Sequence, residues 1–240
     1  ISLRGTEITF PEEMRSLIRP VLTEPPRQNG AEVAVREGRR YIRKLLPIRL
    51  PRVKKTLFTE KGVYLIIGGA GGIGLALGEH LAETVHANLV MIGRGSLTPE
   101  KQAGFDRIRE KGGRAVYLTA DASDPERLRT AVEKARAEFG RINGVIHSAI
   151  VLKDRSLANM DEEMFRAALA PKVGGSVAMY RLFRDDPPDF MMFFSAAQSF
   201  IGNPGQSNYA AGSTFKDAFA LHLSRRLPYP VKLVNWGYWG

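Results

Sequence analysis

The 240-residue chain contains no cysteine, which excludes disulfides, thiolate metal sites and cysteine nucleophiles. It has no apolar run of the roughly eighteen residues needed to cross a bilayer, so no segment reads as a membrane span. Its first ten residues, ISLRGTEITF, lack the basic start and apolar stretch of a secretory signal. Internal repeats and low-complexity tracts are also missing. From the lack of cysteine, a reducing cytoplasm is the expected location. Acidic charge is in short supply: 25 Asp and Glu face 35 Lys and Arg, a net charge of +10.

An excess of that size invites a nucleic-acid partner, but its distribution argues otherwise. Nine basic residues and one acid fall between Arg36 and Lys55, and the remainder is nearly balanced. The stretch reads as a solvated surface, or as a face for an acidic partner domain. An apolar fraction of 44% suits a buried core, and the length fits one large domain or a domain plus an appendage.

From about residue 62 onward, strand and helix signals alternate. Apolar runs at 63–68, 88–93, 115–120, 144–149, 190–196 and 231–237 read as strands buried on both faces. Between them lie helical patterns. Residues 73–85 place Ile73, Leu77, Leu81 and Val85 at helical spacing. Thr98 with Pro99, and Asp124 with Pro125, each read as an N-cap followed by a first-turn proline. Further helices are expected over 161–184 and 207–226. Strands separated by such helices give right-handed crossovers and a parallel sheet. The expected architecture is α/β, a Rossmann-type doubly wound sheet of order 3-2-1-4-5-6 over residues 58–240. Residues 1–57 stand apart: two short strands around Gly38, flanked by Pro11, Pro20, Pro25 and Pro26 and by Pro47 and Pro51.

GGAGGIG, residues 68–74, sits between the first strand and the first helix. It supplies Gly69, Gly71 and Gly74 in one dinucleotide-loop spacing and Gly68, Gly72 and Gly74 in another, with Ile73 between. Such glycines let backbone approach a pyrophosphate at a helix N-terminus. The second strand ends in Arg94 where NAD binders usually carry an acid, and a guanidinium suits the 2′-phosphate of NADP(H). After the third strand come Asp121 and Ala122; Asp121 either accepts from the adenine amine or caps the next helix. His147, Ser148 and Ala149 end the fourth strand, where backbone passes the nicotinamide ribose. For His147 itself, packing is the better reading.

Ser195 at a strand end and Tyr209 at a helix start carry the chemical signal. Reducing a ketone requires an acid that protonates the developing alkoxide. A tyrosine, with an ordinary pKa of about 10, serves better beside a cation that lowers it. Tyr209 is the expected acid, and Ser195 the donor to the carbonyl oxygen. Lys172 is the expected cation. Ser213, one turn after Tyr209, shares its face and is expected to order a water in the proton relay. Short-chain dehydrogenases usually carry a lysine at that fourth position; here it is absent.

The segments GGAGGIG, VIHSAIVLKDRSL, PKVGGS, FFSAAQS, GNPGQSNYAAGSTFKDAFA and VNWGYWG resemble the ketoreductase domains of modular polyketide synthases. The last two are most similar to domains from synthases whose acyltransferase acts in trans. That resemblance covers about residues 30–240. It implies NADPH as cofactor, a β-ketoacyl chain on an acyl carrier protein as substrate, and neighbouring synthase domains as partners. It also implies a lysine on the helix before the serine strand, which matches Lys172. Ser213 departs from the usual YxxxN, and Ile67 and Ile150 replace the threonine and glycine often found there.

The resemblance also implies stereocontrol by Leu152 and Asp154, of an altered LDD signature whose middle residue is Lys153, and by Gln198, Pro204 and Asn208. The A-type tryptophan position holds Ile201, so B-type reduction, giving a D-configured 3-hydroxyl, is expected. The family also implies that residues 1–57 are the remnant of a structural subdomain with its linker. A substrate lid and last strand are expected to follow beyond Gly240. Two other functions compete: a non-reducing scaffold or epimerase domain, and a dehydrogenase for small alcohols.

Overall fold

The structure, a computed structural model, describes residues 18–19, 22–24, 33–42, 44–51 and 56–239. Pro11, Pro20, Pro25, Pro26 and part of the basic stretch (Arg43 and residues 52–55) lie outside the described residues. The chain divides into two compact units, Ile1–Val53 and Lys54–Gly240.

In the first unit, β1 (Val33–Arg36) pairs antiparallel with β2 (Arg39–Ile42). Glu37 and Gly38 connect them at φ of 51° and 72°. Two successive left-handed residues match the twist of a tight hairpin, and these are the two strands expected around Gly38. Every residue of β2 is exposed, and Arg40 pairs with Glu24.

The second unit runs β3 (Val63–Ile67), α1 (Gly72–Val85), β4 (Asn88–Gly93), α2 (Pro99–Glu110), β5 (Arg114–Thr119), α3 (Pro125–Phe139), β6 (Gly144–His147), α4 (Glu162–Leu182), β7 (Phe190–Ala196), α5 (Ser207–Ser224) and β8 (Val231–Trp236). The strands form one parallel sheet of order β5-β4-β3-β6-β7-β8. Counted within the sheet this is 3-2-1-4-5-6, the Rossmann-type doubly wound order expected from the alternation.

All five residues of β3 are buried. Val63, Leu65 and Ile67 join one core with Leu128 and Val132 of α3, Met179 of α4 and Leu223 of α5. Tyr64 and Ile66 face the other core with Leu81 of α1 and Phe105 and Ile108 of α2. Helices on both faces explain why the strands read as continuous apolar runs rather than alternating ones. At about 1.5–3 kcal/mol per large side chain buried, these central strands supply much of the stability.

The expected caps form. Thr98 accepts from Lys101 N at 3.5 Å, and Asp124 accepts from Glu126 N and Arg127 N at 3.1 Å. The strand expected over 144–149 stops at His147, and Ser148 and Ala149 continue close against the backbone of Gly68. The α4 helix continues through Pro171. Among the described residues no helix is long and apolar enough to cross a membrane.

Candidate active site

The six parallel strands end on one side, and a cleft of about 540 Å³ opens there between β3 and β6, where the chain order reverses. That is where an open α/β sheet places its ligand.

Backbone forms one end of the cleft. Gly68 lies at φ +85°, and a Cβ there would stand 2.6 Å from Ala149 N and Cα, so no larger residue fits without moving β6. Gly74 packs on Gly69, where a Cβ would lie 2.4 Å from Gly69 O. By contrast, a Cβ on Gly72 would meet nothing within 4 Å, and Gly71 and Gly72 both line the cleft. Helix α1 begins here with no side-chain cap and no acid in its first turn. Its first amides and positive dipole end are left for an anion. This cradle fits the diphosphate of a dinucleotide.

Arg94 and Lys101 line the same end of the cleft, and Tyr117 Oη donates to Gly95 O at 2.5 Å. Asp121 also lines it, and its Oδ1 accepts from Ser123 N and Ser123 Oγ at 2.8 and 2.6 Å. Burial opposes ionisation of Asp121, but those two hydrogen bonds and Arg94 outweigh it and hold the carboxyl below its ordinary value. Capping of the next helix falls to Asp124, so of the two roles open to Asp121 the cap is not the one it takes. Ile73, Ala122, Ser148 and Ala149 line the cleft as expected. Gly69, Gly74 and His147 do not: the two glycines pack loop against helix, and His147 is fully buried behind the cleft.

Side chains form the other end. Ser195 and Tyr209 line the cleft, at the end of β7 and in the first turn of α5. Lys172 stands behind them, fully buried. Its Nζ donates to Ser213 Oγ at 2.6 Å and to Tyr209 O at 3.3 Å. It lies 3.2 Å from the centroid of the Tyr209 ring. Gly212 gives the lysine room, since a Cβ there would fall 2.9 Å from Lys172 Cδ. Ser195 Oγ donates to Ser213 O at 3.3 Å. The four residues expected to work together are thus joined in one network.

Two expectations about that network are corrected. Ser213 is not at the cleft surface: it is fully buried, its Oγ accepts from Lys172, and its hydroxyl proton goes to Tyr209 O at 2.9 Å. It tethers Lys172 instead. Nor is the Tyr209 phenol lowered. Burial, and then the nearby Asp154 carboxylate, raise it above its ordinary value. Lys172 meets the ring face rather than the phenolic oxygen, and burial brings its own pKa down to about 7 against the attraction of Asp217 and Asp154.

At the mouth, Leu152 and Gln198 line the cleft, whereas Asp154, Pro204 and Asn208 do not. Asp154 and Asn208 instead tie the 152–155 loop to the start of α5. Gln206 Nε2 donates to Asp154 Oδ2 at 2.7 Å, Asn208 Nδ2 to Lys153 O at 2.8 Å, and Arg155 N to Gly205 O at 2.9 Å. Sequence reasoning missed Gln206, together with Trp236, Tyr238 and Trp239 in the wall. It also missed two buried polar residues on α5, Lys216 and Asp217. Lys216 had a signal, because positions 209, 213 and 216 share one helical face.

Comparison with known proteins agrees with this fold. The KR domain family profile matches residues 62–240. Polyketide synthase PksN of Bacillus subtilis (strain 168) is 46% identical over 220 residues, 92% of this chain and 4% of that protein. Polyketide synthase ThaG of Burkholderia thailandensis is 43% identical over 85% of this chain and 4% of that protein. The chain therefore spans only a small part of these relatives. The crystal structure of a ketoreductase domain from the bacillaene assembly line matches with a TM-score of 0.79 at 30% identity, covering 95% of this chain and 54% of that one. A Serratia marcescens short-chain dehydrogenase/reductase, 19% identical with a TM-score of 0.68 over 74% of each chain, shares the fold.

Proposed function

The chain belongs to the ketoreductase (KR) domain family of polyketide synthases, and from that membership we propose that it reduces a β-ketoacyl thioester on an acyl carrier protein to the β-hydroxyacyl thioester, with NADPH, during chain extension. One observation carries this reading: an anion cradle with Arg94 and Lys101 occupies one end of a single cleft, and Ser195 and Tyr209 occupy the other.

Gly71, Gly72 and the first amides of α1 would hold the diphosphate of NADPH, and Arg94 with Lys101 its 2′-phosphate. Bound there, the cofactor supplies hydride. Ser195 Oγ donates to the substrate carbonyl oxygen as negative charge gathers on it. Tyr209 gives that oxygen its proton: the phenolic O–H bond breaks and the product O–H bond forms. Lys172, held against the ring by Ser213, opposes the negative charge that then spreads into the phenolate. Burial raises the phenol, so this cation acts on a group already reluctant to ionise.

Leu152, Gln198 and the Trp236–Trp239 wall would take the acyl chain. Asp154, Pro204 and Asn208 shape the loop that orients it, toward B-type reduction. In the same reading residues 1–57 are the end of a structural subdomain with its linker, residues 58–240 form the reducing domain, and both work in the cytoplasm among other synthase domains.

The test is loss of reduced-nicotinamide absorbance when the protein meets NADPH and a short β-ketoacyl thioester. The proposal expects turnover that Tyr209→Phe abolishes while NADPH still binds, and a D-configured product. NADPH binding without turnover on any acyl thioester would favour a scaffold or epimerase domain. Absence of binding would remove the reductase reading altogether.

A further inference from the structure

Lys216 is fully buried, although a lysine is almost never so without a reason. Its Nζ lies 2.9 Å from Phe194 O and 3.0 Å from His147 Nδ1. On the other side of the ring, His147 Nε2 lies 2.9 Å from Pro171 O. A carbonyl only accepts, so Nε2 carries the ring proton, and Nδ1 accepts from Lys216. Burial first, and then the Lys216 charge, keep this histidine neutral. Gly175 makes the approach of the ring to α4 possible, since a Cβ there would lie 2.8 Å from Nε2.

One amine on α5 thereby fastens three other elements: the end of β6 through His147, the end of β7 through Phe194, and α4 through His147 and Pro171. Each fastened residue immediately precedes one in or behind the cleft: Ser148, Ser195 and Lys172. Pro171 and Phe194 line the cleft, but Lys216 and His147 do not, and the bonds end on the Pro171 and Phe194 carbonyls, so the effect is on geometry rather than on the reacting atoms.

We propose that Lys216 is a positioning residue that, by cross-linking β6, β7 and α4 from α5, sets Ser195 and Lys172 in register with Tyr209. This rests on the ketoreductase reading for its kinetic consequence, though not for its structural one. Lys216→Met keeps the volume and removes both donors. Lys216→Gln is shorter but retains an NH₂ with two donors. The expected result for Lys216→Met is a fall in kcat of about ten- to a hundredfold, the size that a misplaced catalytic geometry produces. NADPH Kd and thioester KM are expected to stay within about twofold, because the fastened atoms do not touch the glycine loop. Lys216→Gln is expected to recover part of kcat.

Hydrogen exchange measured on the same two variants and the wild type is independent of turnover. Lys216→Met is expected to raise exchange selectively in residues 147–149, 171–176 and 194–199, and Lys216→Gln less so. Unchanged exchange in those segments would overturn the proposal even if the protein proved inactive on every ketone. So would a kcat loss that follows melting temperature equally in both variants, because that is what simple packing predicts. Selective exchange in a protein that reduces nothing would keep the cross-link and sink only the ketoreductase reading.

Discussion

The glycine loop from Gly68 to Gly74 frames one end of the cleft with residues close in sequence, whereas the other end rests on side chains far apart, such as Lys172 and Ser213, 41 positions from each other. The first works through what is missing, side chains and caps, so that amides stand open to an anion. The second works through buried polar groups that must satisfy one another, because a buried donor or acceptor without a partner costs about 1–3 kcal/mol. A local loop tolerates change elsewhere in the molecule. A network of residues from β6, α4, β7 and α5 depends on all of them at once.

That contrast can be broken from either side. The largest effect is expected at the side-chain end: Ser195→Ala should lower kcat about 10²–10³-fold, as loss of one donor to a developing oxyanion does. Its NADPH Kd, read by fluorescence titration, should not move. Gly68→Ala should do the converse. Its Cβ would meet Ala149 backbone at 2.6 Å in a left-handed conformation, costing about 1–3 kcal/mol. A lowered denaturation midpoint together with loss of NADPH binding is the expected pair of results.

A smaller effect sharpens the cofactor end. Arg94→Ala removes one charge-assisted contact, of about 1.5–3 kcal/mol, and should weaken NADPH roughly tenfold or more while leaving NADH unchanged. Equal loss for both cofactors would mean that Arg94 does not meet a 2′-phosphate.

The side-chain end also leaves a mark on stability against pH. Folding lowers Lys172 from 10.5 to about 7, mainly by burial. Between those values the unfolded chain binds more protons, so stability should rise with pH across that window. In Lys172→Met the rise should flatten, as read from urea midpoints between those pH values. Some slope should persist, because Lys216 is lowered in the same sense by its own burial. The smallest effect is expected at Gln206→Ala, which frees Asp154 at a cost of about 1 kcal/mol. The measurement is product configuration, with a minor loss of stereochemical purity expected at near-normal turnover.

The two ends were not equally legible in the amino-acid order. The strand–helix alternation, the sheet order, the Thr98 and Asp124 caps and the glycine loop are local patterns. They depend on residues within a few positions of each other, where periodicity and sterics act directly. Ser195 and Tyr209 are readable from their places at a strand end and a helix start, and Lys172 as the cation they need, but no spacing brings residues 172 and 213 together. The role of Ser213 depends on Lys172, which lies on another helix, so its tethering of that lysine is not readable from its own helix. His147 stands at a strand end where backbone passes the expected cofactor, and its ring turns inward to Pro171 and Lys216, in line with the packing role read for it.

The sequence by itself determined the doubly wound sheet and the backbone cradle, because burial on both sheet faces and the small size of glycine are written residue by residue. Only the tertiary structure decided that Lys172 lies on the tyrosine ring rather than at its oxygen, that the phenol is raised rather than lowered, and that a buried lysine fastens three elements. Those outcomes depend on desolvation and on partners brought together by packing, and neither quantity belongs to any short stretch of chain.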